Sequence, residues 1–133
     1  MKKLLLAVAI AGLSGCALID AYLMKYDPNE YQIISDIRTM ANLAKSKCDN
    51  FAESKVQATA LADKTTSFVI YTQYTPHNDL VKKSSVELDK MAQGLKTQYE
   101  KSDKVSTAFC KIKFENVEKS AETIQKVVGD KPR

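Results

Sequence analysis

Between Asp27 and Pro132 the apolar residues recur at every third or fourth position, and one strong break interrupts them. That is the period of α-helix with one buried stripe. Its start is marked. Asp27 can accept hydrogen bonds from free backbone N–H groups, Pro28 suits the first helical position, and Glu30 stands where a capping box places an acid. Ile33, Ile37, Met40, Ala44, Cys48, Phe51, Ala58, Leu61 and Phe68 then keep the spacing. The stretch from Thr65 to Thr75 is rich in β-branched residues, which lower helix propensity, and is expected to be extended or loosely helical. Thr75-Pro76-His77-Asn78-Asp79 is the break. Beyond it, Val81, Ser84, Leu88, Met91, Leu95, Gln98, Ser102, Val105, Phe109 and Ile112 alternate in steps of three and four, a coiled-coil seam with polar entries. Shifted by one position, the seam continues through Val117, Ala121, Ile124 and Val128 to a stop at Gly129 and Pro132. Glu100–Lys104, Glu115–Lys119 and Glu122–Lys126 add i, i+4 support. The expected fold is all-α: a long, coiled-coil-like antiparallel helical hairpin. The alternative is a compact bundle, of three helices if Ser102-Asp103 starts a new helix, with the first arm also able to bend at Thr65–Thr75.

Ahead of this domain, Lys2 and Lys3 precede an apolar run from Leu4 to Leu13, ten residues where a membrane span needs about 20. That is the layout of an export signal. Leu13-Ser14-Gly15-Cys16 resembles the lipobox of bacterial lipoproteins: an aliphatic residue, a small residue, Gly or Ala, then Cys. The resemblance implies that residues 1–15 are a cleaved signal peptide. It also implies that Cys16 carries diacylglycerol on its thiol and an acyl chain on its new amino group, the only prosthetic groups expected. Enteric-type sorting retains on the inner membrane a lipoprotein with Asp after the cysteine. Ala17 stands there, so the resemblance implies the periplasmic face of the outer membrane. Residues 16–26 form the anchor and membrane-proximal segment. Leu18, Ile19, Tyr22, Leu23 and Tyr26 share one helical face, which either lies on the membrane with tyrosines at headgroup depth or packs on the protein's own core. Residues 27–133 form the helical domain.

With Cys16 lipidated, Cys48 and Cys110 are an even remainder in an oxidising compartment, where a disulfide is the default. Facing residues of an antiparallel hairpin share a midpoint at its turn, and the midpoint of Cys48 and Cys110 falls at the 76–79 break. The expected clasp lies about two-thirds of the way down the arms. A break at Ser102 alone would run the helix carrying Cys110 parallel to the first and part the cysteines by about 20 Å at 1.5 Å per residue, against the 7 Å limit for a disulfide.

Composition narrows the function. Of 20 Lys+Arg, two leave with the signal, so 18 face 16 Asp+Glu, a near-neutral mature chain (net +2) and not a nucleic-acid binder. One histidine, His77, and no clustered cysteines make a metal site unexpected. No Ser-His-Asp or Cys-His arrangement assembles, and no enzyme activity is expected. Phe68, Tyr71, Tyr74 and His77, beside the Pro76 turn, are either a docking tip or local packing that closes the hairpin. Apolar residues off the seam (Ile34, Leu43, Val56, Leu80, Val86 and Phe114) call for cover by self-association or an envelope partner. The expected function is a structural or protein-interaction lipoprotein, with a phage-type outer spanin or exclusion lipoprotein as subcases. The alternative is a small-ligand carrier or envelope enzyme, which needs a concave pocket.

Overall fold

The computed structural model describes residues 25–133. The expected signal peptide 1–15, the expected lipidation site Cys16, and Leu18, Ile19, Tyr22 and Leu23 lie outside the described residues. Among those described, helices α1 (Pro28–Ala44), α2 (Phe51–Gln73), α3 (Asp79–Lys101) and α4 (Thr107–Gly129) follow one another, with a 3-10 turn, Lys45–Lys47, after α1. Each packs antiparallel on its chain neighbours, and α4 closes the ring against α1.

The all-α class and the Cys48–Cys110 disulfide hold. The two long arms do not: each is bent back once, at residues 45–50 and 102–106, so that the hairpin is folded in half. Local chemistry makes both bends. Asn50 caps α2 by accepting a hydrogen bond from the Glu53 N–H at 3.1 Å, and Ser106 caps α4 by accepting from Phe109 N–H at 3.2 Å. The pairing expected of the hairpin survives the folding. Arg38 meets Gln125 and Asn42 meets Glu118 between α1 and α4, while Thr72 meets Ser85 between α2 and α3. All are centred close to the 76–79 turn. The expected parallel mismatch at Ser102 assumed one bend. A matching bend in the first arm makes α4 antiparallel to α1 and brings the cysteine Cα atoms to 5.6 Å. The disulfide therefore lies at one end of the bundle, not two-thirds of the way along a rod.

The buried positions explain the closure. They run Glu30, Ile34, Ile37, Ala41, Ala44, Cys48 in and just beyond α1, and Ser54, Ala58, Leu61, Ala62, Thr65, Phe68, Thr72 in α2. In α3 they are Val81, Ser85, Leu88, Ala92, Leu95, Tyr99, and in α4 Cys110, Phe114, Val117, Ala121, Ile124, Val128. Apart from Ala62, which is buried beside Leu61, every series alternates steps of four and three, which keeps one seam per helix on the common axis. The seam expected for the second arm differs at alternate positions: Ser84, Met91, Gln98 and Ile112 face outward or sit half-buried, and Ser85, Ala92 and Tyr99 face in. Two off-seam residues, Ile34 and Phe114, are fully buried by the chain's own folding, whereas Leu43, Val56 and Leu80 stay exposed and Val86 is half-buried.

Thr65–Thr75 is a further correction, since α2 is helical through Gln73. Its threonines bond back to carbonyls one turn earlier and across to α3. Thr65 and Thr66 donate to Asp89 at 2.8 and 3.0 Å, and Thr72 shares a 2.9 Å bond with Ser85. These bonds outweigh the intrinsic preference of a few tenths of a kcal/mol per residue, roughly.

Two stability predictions arise from the packing. Tyr99 is buried against Phe51, ring centroids 5.3 Å apart, and its hydroxyl has no partner among the described residues. Such a hydroxyl contributes only desolvation cost, so Tyr99→Phe is expected to raise unfolding stability by about 1 kcal/mol in urea titrations. A loss of that size would show that the hydroxyl is bonded. The second concerns acid. The ammonium of Lys45, 2.5 Å away, and the amide of Asn42 hold the Glu118 carboxyl below the usual carboxylate range. Bonds from Gln32 and Lys64 do the same for Asp36. A depressed folded-state pKa adds stability that is fully present above the unfolded value, about 4, and is lost as pH falls through the folded value. The melting temperature should decline below roughly pH 4.5, and Glu118→Gln together with Asp36→Asn should flatten that acid limb. An unchanged limb would discount both pairs.

Candidate functional site

The end of the bundle opposite the disulfide gathers three distant chain segments: the entry to α1, the α2–α3 turn and the C-terminal tail. Their meeting point is a buried polar cluster. Glu30 is fully buried, Asn78 is 1% exposed and Lys131 is 7% exposed. Lys131 Nζ donates to Glu30 Oε2 at 2.5 Å and to Asn78 Oδ1 at 2.7 Å, and Asn78 Nδ2 donates to Glu30 Oε1. Both carboxylate oxygens are thus occupied and the charge is paired, which is what permits its burial. Glu30 was expected to reach back to the α1 cap. It turns inward instead, and Asp27 caps alone, accepting from the N–H groups of Asn29 and Glu30 at 2.9 and 3.4 Å.

Around this cluster the chain is tied again. Tyr26 N–H donates to the Pro132 carbonyl at 2.8 Å, the Tyr26 ring lies 5.9 Å from that of Tyr31, and Arg133 sits 5.2 Å over the Tyr26 ring. Gly129 admits Tyr31 here, because a Cβ at that position would stand 3.2 Å from its ring. Tyr71 OH donates to the second oxygen of Asp27, and that carboxylate pushes the phenol pKa upward. Of the expected membrane-proximal face, Tyr26 is the described member, and it packs on the protein's own surface just before α1.

The expected tip residues divide. Phe68 is fully buried in the core, Tyr71 is tied to Asp27, Tyr74 is 86% exposed, and His77 sits exposed in the turn with φ 53°. Folding the hairpin in half brings this turn beside Lys25, the first described residue, so the tip and the start of the described chain share one end of the bundle. An extended hairpin would have set them at opposite ends. Sequence reasoning missed Lys131 and Asn78, which carry no periodic signal; only their meeting in three dimensions marks them.

Elsewhere the described surface holds shallow grooves. One, about 340 Å³, lies between α3 and α4 over Leu88, Met91 and Ile124. Another, about 520 Å³, runs along α2 over Ala52, Val56 and Ala60. Among the described residues no group of His, Cys, Asp and Glu could hold a metal ion, and no helix is long and apolar enough to cross a membrane. The chain matches no protein-family model, no curated protein and no solved structure.

Proposed function

We propose that this protein is a lipoprotein anchored through Cys16 on the periplasmic face of the outer membrane, and that its bundle serves as a docking module for an envelope protein. A phage-type outer spanin or exclusion lipoprotein would be a specific form of that role. The observation that carries the docking reading is the outward apolar surface left after the hairpin folds. Val56 is 64% exposed on α2, with Leu43 at 63% and Ile112 at 56% nearer the disulfide end. We take these outward side chains, gathered toward one end of a well-packed bundle, as the support for a surface that a partner would cover. A photo-crosslinking residue placed at Val56, Leu43 or Ile112 in living cells is expected to yield a discrete adduct, either with an envelope protein or between copies of the chain. No adduct from any of the three positions, together with a monomer by light scattering, would sink this reading.

A second reading has its own observation, the α3–α4 groove. Leu88, Met91 and Ile124 line it beside Ser84 and Ser120, which suits a small apolar ligand. In that case Met91→Lys abolishes function while the three crosslinking positions tolerate charge.

A further inference from the structure

We propose that the anchor end of the bundle is itself a membrane-contact surface: Ile70, Tyr74 and Leu80 rest in the headgroup–acyl boundary of the bilayer and hold the bundle upright, with its disulfide end outermost. This rests on lipid anchorage at Cys16. Ile70 is 57%, Tyr74 86% and Leu80 56% exposed, and all three cluster about the α2–α3 turn. Ile70 and Tyr74 border one groove with Pro76. Nothing in the packing of the bundle calls for a tyrosine so exposed at this point, whereas an aromatic ring with a polar tip suits the boundary between headgroups and acyl chains.

The occupant follows from where the chain leaves the bundle. Lys25 lies at this same end, tied through Tyr26 to the C-terminal tail. Nine peptide steps separate Lys25 from Cys16, and at 3.3–3.6 Å per residue they reach about 30 Å at most. A helix of 23 residues, such as α3, is about 35 Å long at 1.5 Å per residue. The turn is therefore the part of the domain that the tether holds nearest the lipid, and Val56 and Ile112 lie toward the far end. Charge adds little. Lys25, Lys82, Lys83 and Arg133 at this end face Asp27, Asp79 and Asp130, four cations against three acids, so the contact is mainly apolar and should survive high salt. The Glu30–Asn78–Lys131 cluster gives the contact its rigidity by fixing the tether exit, the turn and the tail to one another.

The chain has no tryptophan, so one substitution makes a site-specific reporter. Lipidated full-length protein carrying Tyr74→Trp, Leu80→Trp or Val56→Trp would be reconstituted on phosphatidylethanolamine–phosphatidylglycerol vesicles with brominated acyl chains. Flotation reads the anchor and bromine quenching reads the contact. The reporters at positions 74 and 80 are expected to shift to shorter wavelength and lose most of their emission, in low and high salt alike, while that at 56 keeps its own. If the protein floats but positions 74 and 80 are quenched no more than position 56, the contact is refuted and the anchor stands. If the protein does not float, both fail. Ile70→Trp replaces any variant whose circular dichroism shows that it no longer folds.

Discussion

Glu30→Ala or Lys131→Ala is expected to lower the unfolding free energy by about 3–5 kcal/mol, the usual cost of leaving one member of a buried ion pair alone. Lys131 is 3% and Glu30 0% exposed at the side chain, so neither survivor can recover its hydration without opening the bundle end. Asn78→Ala should cost less, roughly 1–3 kcal/mol, because it removes two hydrogen bonds and leaves the charges paired. The decisive comparison is the double variant Glu30→Leu, Lys131→Met. Replacing both charges with apolar groups of similar size is often neutral, but Asn78 then loses both side-chain partners, so the double variant should regain only part of what either alanine loses, falling short by the roughly 1–3 kcal/mol of a stranded buried amide. Urea unfolding of the four proteins checks this. A double variant as unstable as the sum of the singles would mean that the cluster acts through something other than charge pairing. Full retention of stability in the single variants would mean that the cluster is open to water.

Reduction of Cys48–Cys110 ranks second. The bond closes a loop with a sequence separation of 62, for which the chain-entropy relation gives about 4 kcal/mol. It ties the end of α1 to the start of α4 at the end of the bundle away from the Lys131 cluster, so the two fastenings guard opposite ends of the same helix pair. The reduced protein, or Cys48→Ala with Cys110→Ala, should unfold at a markedly lower denaturant concentration with little change in helix content in water. Alkylation of the oxidised, unfolded protein should label neither cysteine. Quantitative labelling of both would remove the bond from the account.

Much of this was legible because helix period is a local signal. Asp27-Pro28 and Gly129 bound the domain where the sequence placed its start and stop, and the cysteine midpoint located the pairing of α1 with α4. The bend after Cys48 went unread, although Asn50 and Glu53 stand three apart as a capping pair. Apolar spacing ran on from Cys48 through Phe51 to Ala58, so the turn fell in phase and hid. With one bend unseen, the arms are too long to fold back, and an extended hairpin sets the α2–α3 turn far from Lys25. The Thr65–Thr75 stretch misled in the opposite direction. Its low propensity suggested a break, but its hydroxyls find Asp89 and Ser85 only once α3 is alongside. The Glu30–Asn78–Lys131 cluster was out of reach for the same reason, since its members are 48 and 53 residues apart along the chain.

Lipid attachment at Cys16 is the premise shared by the proposed function and the membrane contact, and intact-mass analysis of the protein purified from its membrane fraction tests it most directly. The expected result is a chain that begins at Cys16 and carries the added mass of a diacylglycerol and one further acyl group, with no such species from Cys16→Ser. An unmodified chain beginning at Met1, or one cleaved elsewhere without lipid, would contradict the anchor and everything built on it.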